Sequence, residues 1–255
     1  MNAQGDDFRE IRKVAVAFDP ACVSSALLHV ATEFAVSLGA DLEALIIDDQ
    51  DIVRLSRLPF GRIVEPFLGR SEVFDDAAIR SRRAGPLARN RTVLRELSKH
   101  HRLAYSVREL PGLGLAEAAS ETTADLFVVA SFHSKFGGDR TIDRDAWDFA
   151  AESAGSVLLV SHLPVSTQKI VVVSDDSPAG HHAVAVAARL VHRNVPEETL
   201  PIGRLNPVGQ QTRALVGKVL DMSPTLVIVG LQDASLAPAL LETSEGEIFS
   251  VLTIR

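Results

Sequence analysis

Short, continuous runs of apolar and β-branched residues recur along the chain and predict buried strands. Strands covered on both faces have this pattern, whereas half-exposed strands alternate apolar with polar residues. The runs lie at 14–18, 42–47, 126–130, 157–160, 170–173, 226–229 and 250–254. They predict a largely parallel sheet with both faces covered.

Apolar residues spaced three and four positions apart predict helices between these strands. The first spans 27–38, and Gly39 is expected to end it. A second is expected to begin after the Gly85-Pro86 pair, a third spans 116–123, and a fourth spans 184–191. Strands that alternate with helices indicate βαβ units, so we predict an α/β fold with doubly wound parallel sheets.

The sequence repeats itself loosely. Residues 13–19 (KVAVAFD) resemble 169–175 (KIVVVSD), and 125–130 (DLFVVA) resemble 225–230 (TLVIVG). Lys13 and Leu126 are 113 residues apart, but Lys169 and Leu226 are only 57 apart. We therefore predict two units, residues 1–164 with five strands and residues 165–255 with four, the second lacking one strand and one long helix.

The runs 156–160 (SVLLV) and 250–254 (SVLTI) would close these two units. Unpaired apolar edge strands associate readily, so we expect these two to pair with each other. The chain would then be a pseudo-dimer of its own units, and a homodimer of whole chains is left open.

Composition and charge narrow the classes of partner. The 255 residues are 46% apolar and 23% charged, the ordinary balance of a globular protein. A net charge of −7 argues against nucleic acid or a membrane as partner. One cysteine, a polar and acidic beginning, and apolar runs well short of about 18 residues predict a soluble cytoplasmic protein.

The pattern resembles the tandem form of the universal stress protein family, whose units open with a strand ending in Asp. Here the matching segments are 14–19 and 170–175, followed by a turn and a helix. The resemblance implies a stress-related role, dimer-like pairing through the closing strands and, in some members, ATP where the strand order reverses. Ligands of open parallel sheets bind at that place, beyond the carboxyl ends of the strands.

The phosphate-binding motif departs from the family pattern of spaced glycines followed by Gly-Ser or Gly-Thr. Gly137 and Gly138 are adjacent, and aspartates outnumber basic residues over 139–148. Residues 231–250 contain four acidic residues and no Lys or Arg. We therefore expect no cofactor and degenerate nucleotide sites, with ATP or another adenine nucleotide left open as the alternative.

The candidate binding residues stand where the strands of each unit end: Asp19, Ser131, His133, Gly137, Gly138 and Asp175. Asp19 and Asp175 would hydrogen-bond a hydroxylated ligand such as a ribose, or alternatively cap the helix that follows. Adjacent histidines, as in His181-His182, point to different faces of a helix, so we expect no metal site. We expect no catalytic residue either.

Three functions follow. The leading one is a non-enzymatic, stress-related regulatory or binding protein without standard ATP binding. The first alternative is a sensor that holds a nucleotide or another small molecule in the N-terminal unit. The second, disfavoured, is an enzyme of the adenine-nucleotide α-hydrolase group, because neither 19–25 nor 175–180 contains that group's paired glycines.

Residues 54–95 contain ten arginines against four acidic residues, a local net charge of +6. This segment is either a solvated surface or a docking site for an acidic partner or nucleic acid. It also holds two apolar clusters, 58–61 (LPFG) and 64–68 (VEPFL). We expect these clusters to be buried against the protein itself.

Overall fold

The computed structural model describes residues 10–18, 25–47, 58, 60, 62–65, 70–73, 76–130, 146, 149–150, 153, 155–160, 169–192, 202–205, 212–231 and 249–255. The strands are β1 (Lys13–Phe18), β2 (Asp41–Ile47), β3 (Arg62–Glu65), β4 (Arg70–Val73), β5 (Tyr105–Leu110), β6 (Leu126–Ala130), β7 (Ser156–Val160), β8 (Ile170–Ser174), β9 (Ile202–Leu205), β10 (Leu226–Gly230) and β11 (Ser250–Ile254). The helices are α1 (Ser25–Leu38), α2 (Asp76–His101), α3 (Leu115–Ser120), α4 (Pro178–His192) and α5 (Thr212–Asp221).

Nine of these strands form one sheet in the order β5-β2-β1-β6-β7-β11-β10-β8-β9. Every neighbouring pair is parallel except β7 and β11, which are antiparallel. The predicted α/β fold class is therefore confirmed. Five strands of this sheet precede residue 164 and four follow it, which agrees with the predicted strand numbers. The domain boundaries at 164 and 165 stay a prediction.

The two sets of strands meet at β7 and β11, and the predicted pairing of these strands is confirmed. Leu158 lies opposite Leu252, with Leu159 opposite Val251 and Val157 opposite Thr253. A shift of 94 residues maps β7 onto β11 and Leu158 onto Leu252. The register is thus symmetric about this leucine pair, whose side chains are both fully buried.

The same hydrogen bonds recur where the first and second halves of the sequence correspond. The backbone N–H of Asp125 donates to the carbonyl oxygen of Lys13 at 2.9 Å, and that of Thr225 donates to Lys169 at 2.9 Å. In return, Asp125 Oδ2 accepts from the Lys13 N–H at 3.1 Å, and Thr225 Oγ1 accepts from the Lys169 N–H at 3.2 Å. The first pair fixes the start of β1 against β6, and the second pair fixes the start of β8 against β10.

Apolar side chains cover both faces of the sheet, as the continuous apolar strands require. Helices α1, α2 and α4 contribute to the core on one face, and α3 and α5 contribute to the core on the other. Glu10, which precedes β1, is ion-paired with Arg189 of α4 at 3.1 Å and so links the two halves. The hydrogen bond and positive charge of Arg189, with a smaller effect from Arg12, lower the pKa of Glu10.

The predicted end of α1 is confirmed. Gly39 has φ = 68°, a left-handed conformation that glycine adopts without strain. The backbone N–H of Ala40 donates to the carbonyl oxygen of Ala35 at 2.8 Å, and that of Gly39 donates to Val36 at 3.3 Å. This is the hydrogen-bond pattern of a Schellman cap.

The predicted start of α2 is wrong. The helix begins at Asp76 and continues through the Gly85-Pro86 pair to His101. Proline inside a helix costs about 3 kcal/mol because it removes one hydrogen bond and clashes with the preceding turn. Contacts on both sides offset that cost, since Leu94 is buried in the core and Arg83 donates to the carbonyl oxygen of Ile47.

The expected burial of the apolar clusters at 58–61 and 64–68 is wrong for the residues that the structure describes. Leu58 is 42% exposed, Phe60 76% and Val64 63%. These residues belong to β3 or directly precede it, and β3 pairs with β4 in a separate two-stranded sheet. A two-stranded sheet has no second layer of its own to cover it.

A buried carboxylate that the sequence analysis did not single out lies in β2. The Glu43 side chain is only 4% exposed and contacts Lys13 Nζ at 2.8 Å and an Arg108 guanidinium nitrogen at 3.8 Å. Thr122 Oγ1 also donates to it. Burial raises the pKa of Glu43, but the hydrogen bonds from Lys13 and Thr122, with the two positive charges, outweigh burial and lower it overall.

A carboxylate whose pKa is lowered by folding stabilises the folded state above its unfolded pKa and loses that effect as the pH falls through its folded pKa. We expect Glu43→Gln to reduce the free energy of unfolding by about 1–3 kcal/mol at pH 7, because Lys13 loses a charged acceptor. Urea unfolding between pH 7 and pH 3 should show this difference shrinking below about pH 4.5. Glu96→Gln, at an exposed position of α2, is the control; a difference that grows towards low pH would contradict the assignment.

Candidate functional site

The order of the strands creates two crevices at which a ligand could bind. The strand order reverses between β1 and β6 in the first half and between β8 and β10 in the second. In open α/β sheets, ligands bind at such points, beyond the carboxyl ends of the strands. Because β7 and β11 are antiparallel, the strands of the two halves run in opposite directions, and the two crevices lie at opposite ends of the strands.

Most of the predicted binding residues lie outside the described part of the chain. This holds for Asp19, Ser131, His133, Gly137 and Gly138. The described residues that precede Asp19 and Ser131 are Phe18 and Ala130, which end the neighbouring strands β1 and β6. A binding role for these five residues therefore stays a prediction.

In the first half, the pairing of the two strands that flank the crevice stops before either strand ends. The pairing of β1 with β6 ends at Val16 and Val128, although β1 continues to Phe18 and β6 to Ala130. The last two residues of each strand are therefore not paired with the other strand. Ala130, at the end of β6, is partly exposed.

The second-half crevice is closed at the corresponding place. Here β8 and β10 stay paired to their last residues, Ser174 and Gly230. A Cβ added to Gly230 would lie 2.3 Å from the carbonyl oxygen of Ala179 and 2.5 Å from the Cβ of Ala183. The first turn of α4 thus lies directly on the end of β10. The first half has Ala130 at this position, and its Cβ would prevent a helix from approaching as closely.

Asp175 is the predicted binding residue that the structure does describe, and its carboxylate is part of the turn that starts α4. Asp175 Oδ1 accepts hydrogen bonds from the Ser177 backbone N–H at 3.1 Å and from Ser177 Oγ. Ser177 Oγ in turn accepts from the Gly180 N–H at 3.1 Å and caps the helix. The cap is therefore Ser177, with Asp175 supporting it, and a ligand role for Asp175 stays a prediction.

A basic side chain that the sequence analysis did not assign to a site lies near the carboxyl end of β2, in the first half. Arg83 is partly buried on α2, and one of its guanidinium nitrogens donates to the carbonyl oxygen of Ile47 at 3.5 Å. Ile47 ends β2, which is the neighbour of β1. In the sequence, Arg83 is one of ten arginines in 54–95, and nothing in the pattern distinguishes it from the others. A correct prediction of where α2 begins would have been needed to place it beside the end of β2.

Two adjacent histidines, His181 and His182, lie near the start of α4. His181 is exposed, and His182 is partly buried. Burial lowers the pKa of His182 and the positive charge of Arg189 lowers it further, while the charge of Asp125 opposes both. Within the described residues, no group of three or more His, Cys, Asp or Glu side chains is placed to hold a metal ion.

Three solved structures share this architecture. The first is a universal stress protein from Archaeoglobus fulgidus DSM 4304, with 13% identity and a TM-score of 0.56, and the match covers 96% of this chain and 97% of that one. The second is a proposed universal stress protein from Pseudomonas aeruginosa UCBPP-PA14, with 13% identity and a TM-score of 0.54, and the match covers 96% of this chain and 93% of that one. The third is a protein of unknown function from Pseudomonas aeruginosa PAO1, with 14% identity and a TM-score of 0.56, and the match covers 98% of this chain and 94% of that one.

No protein-family model matches the sequence, and no curated protein matches it. None of the described helices has both the length and the apolar character that a membrane-spanning segment requires. The structural matches extend over nearly the whole chain, so they concern the complete sheet rather than one βαβ unit. The chain therefore has the universal stress protein fold, as the sequence resemblance predicts.

Proposed function

We propose that this chain is a non-enzymatic regulatory protein of universal stress protein type, with a stress-related role and without standard ATP binding. The observation that carries the proposal is the closed crevice between β8 and β10. The first turn of α4 packs directly onto Gly230, and this close approach supports the proposal for the second-half crevice. The fold supports the family-level role.

The acidic residues near the second-half crevice also support the absence of standard ATP binding. A triphosphate carries roughly −3 to −4 and needs clustered N–H groups, cations or a metal. Asp175 and Asp176 follow β8 directly, and residues 231–250 add four acidic residues and no basic one. Each unfavourable charge near the phosphates weakens binding by about 1 kcal/mol at an effective dielectric of about 20 to 80.

We also propose that the two halves are counterparts of a fused dimer. The recurring hydrogen bonds of Asp125 and Thr225, and the symmetric pairing of Leu158 with Leu252, support this interpretation. The second half has no described counterpart of the β3–β4 sheet, of α2 or of β5.

A small-molecule or nucleotide sensor in the first half is the second candidate. The separation of β1 and β6 beyond Val16 and Val128 leaves a crevice, and Arg83 brings a guanidinium to the neighbouring strand end. Such a group suits a ligand that carries an anionic part. Asp19 would then contact a hydroxyl group of the same ligand.

Isothermal titration with Mg-ATP tests both statements. We expect at most one weak site per chain, with affinity lost in Asp19→Ala and unchanged in Asp175→Ala. The titration is repeated with Arg83→Gln and with Arg89→Gln, an exposed position two turns further along α2 that serves as the control. Two sites per chain, or micromolar affinity lost in Asp175→Ala, would overturn the proposal for the second half.

Two further measurements separate the candidates. Native mass spectrometry of the purified protein should give the mass of the polypeptide alone for a regulatory protein, and an added small-molecule mass for a sensor. Incubation with ATP should release no phosphate above that of a buffer blank. Steady turnover would establish the enzyme alternative.

A further inference from the structure

Strand β5 forms one edge of the nine-stranded sheet, and no described strand lies on its outer side. On the inner side it pairs with β2 along its whole length. The carbonyl oxygen of Ala104, directly before β5, accepts from the Leu42 N–H at 3.0 Å. In a parallel ladder both backbone groups of a residue point to the same side, and this side alternates along the strand. The N–H and C=O groups of Tyr105, Val107 and Glu109 therefore point away from β2.

The side chains of the same three residues lie on the face of the sheet that α2 covers. Val107 packs in the core on that face. Glu109 is ion-paired with Arg91 of α2. Tyr105, at the other end of the strand, is 38% exposed. Helix α2 thus runs alongside the open edge of β5.

The part of α2 beside this edge presents a stripe of basic side chains. Arg95 and Lys99 follow Arg91 at four-residue steps, so the three lie on one side of the helix. All three are exposed. Arg91 is ion-paired with Glu109, whereas neither Arg95 nor Lys99 is ion-paired within the described part of the chain. Two cations beside the open edge are therefore available to a partner.

The charge of this region indicates which kind of strand would fit. Residues 91–110 contain five basic and two acidic residues, a local net charge of +3 in a chain of −7. Of the two acidic residues, Glu109 is already ion-paired, and Glu96 lies off the stripe, one position after Arg95. Acidic side chains of an added strand would meet Arg95 and Lys99. Since successive strand residues face opposite sides, these acidic residues would stand at every second position.

We propose that the open edge of β5 binds an extended segment of a partner protein that carries acidic side chains at alternating positions. The segment would add a strand to the sheet, hydrogen-bonded to Tyr105, Val107 and Glu109, with its acidic face towards α2. Main-chain hydrogen bonds give such an added strand its affinity, and alternate side chains give it specificity. Nucleic acid is disfavoured, because it has no row of N–H and C=O groups and the net charge of the chain repels it. This edge is separate from both crevices, so the inference does not depend on the proposed function.

Fluorescence anisotropy with a labelled peptide of alternating threonine and glutamate tests the inference. We expect saturable binding in 50 mM NaCl that weakens in 500 mM NaCl, because the ion pairs are screened. The same peptide with lysine in place of glutamate should not bind. Arg95→Glu should weaken the affinity roughly fivefold. Arg89→Glu is the matched control, since it makes the same change of charge at an exposed position off the stripe, and it should leave the affinity within about twofold.

Proline at the edge tests the backbone contacts. Tyr105→Pro removes an outward N–H, so it should weaken peptide binding while the pairing of β5 with β2 stays intact. Tyr105→Thr removes the ring but keeps the N–H, and it should bind the peptide more tightly than the proline variant does. Ser106→Pro instead removes an N–H that points to β2, and it should unfold at lower urea concentration. In the natural protein, bound peptide should slow amide hydrogen exchange at Val107 and Glu109 and leave Ser106 unchanged.

Urea unfolding of Arg95→Glu, Arg89→Glu and the Tyr105 variants checks that each is folded. No saturable binding up to 1 mM peptide in 50 mM NaCl, or equal affinity for the glutamate and lysine peptides, would overturn the inference. So would an equal loss in Arg95→Glu and Arg89→Glu, since the charge of the whole chain would then be the cause. Unchanged amide exchange at Val107 and Glu109 would contradict the added strand, and tighter binding of a single-stranded RNA than of the peptide would assign the stripe to nucleic acid.

Discussion

Replacing Leu158 or Leu252 by alanine is expected to lower the free energy of unfolding by about 2–5 kcal/mol. Both side chains are fully buried and lie opposite each other where the two halves of the sheet meet. Each substitution therefore leaves a cavity at the centre of the sheet. A double-mutant cycle should give a coupling energy of about 0.5–3 kcal/mol, since the two residues are in contact.

Lysine at either position should have a larger effect, because its ammonium group would be buried opposite a leucine, with no carboxylate there to pair with it. We expect Leu158→Lys and Leu252→Lys to unfold at markedly lower urea concentration and to have a larger hydrodynamic radius. Ser106→Lys, on the exposed edge strand β5, is the control and should stay within about 0.5 kcal/mol of the natural protein. Unchanged urea midpoints and radii for the buried lysines would refute the pairing of β7 with β11.

Alanine at Gly230 is expected to destabilise the protein by about 1–3 kcal/mol. The added Cβ would lie 2.3 Å from a backbone oxygen of α4, and a backbone atom cannot rotate away as a side chain can. The first turn of α4 would have to move off the end of β10. Urea unfolding measures the loss, and Mg-ATP titration of the same variant shows whether opening this crevice creates a site; none is expected, given the acidic surroundings.

Gly217→Ala is the matched control for this prediction. Gly217 lies within α5, and a Cβ there would have no heavy atom within 4 Å other than those of its chain neighbours and of the helix's own backbone. The substitution should stabilise the protein by about 0.5–1 kcal/mol, because alanine favours the helix more than glycine does. If Gly230→Ala leaves the stability unchanged or raises it as Gly217→Ala does, the close packing of α4 on β10 is wrong.

The central strands of the sheet could be predicted because burial on both faces makes them continuously apolar. The strands that were not located individually lie at its edges. In β5 (YSVREL) exposed and partly buried positions are interspersed, as suits an edge with one neighbouring strand. In β9 (IGRL) only four residues pair, and they include a glycine and an arginine. Neither segment has the pattern of a buried strand.

The candidate site could be placed at the strand ends from the sequence, but how closely the following helix packs there could not be predicted. The difference between Ala130 and Gly230 is visible in the sequence, yet its meaning depends on where α4 lies relative to β10. The position of Arg83 could not be predicted either, because the Gly85-Pro86 pair predicted that the helix would begin only after residue 86. The stabilising role of Glu43 arises from Lys13, Arg108 and Thr122, which are distant in sequence and adjacent only in the fold.

The position of β11 has a consequence for how the protein is made. It is the last of the described strands along the chain and yet lies in the middle of the sheet, beside β7. During synthesis at about 5–20 residues per second, roughly 5–20 s pass between the completion of β7 and that of β11. For that time the apolar edge SVLLV has no strand to pair with. Protection of nascent chains during this interval, for example by a chaperone, would therefore raise the yield of correctly folded protein.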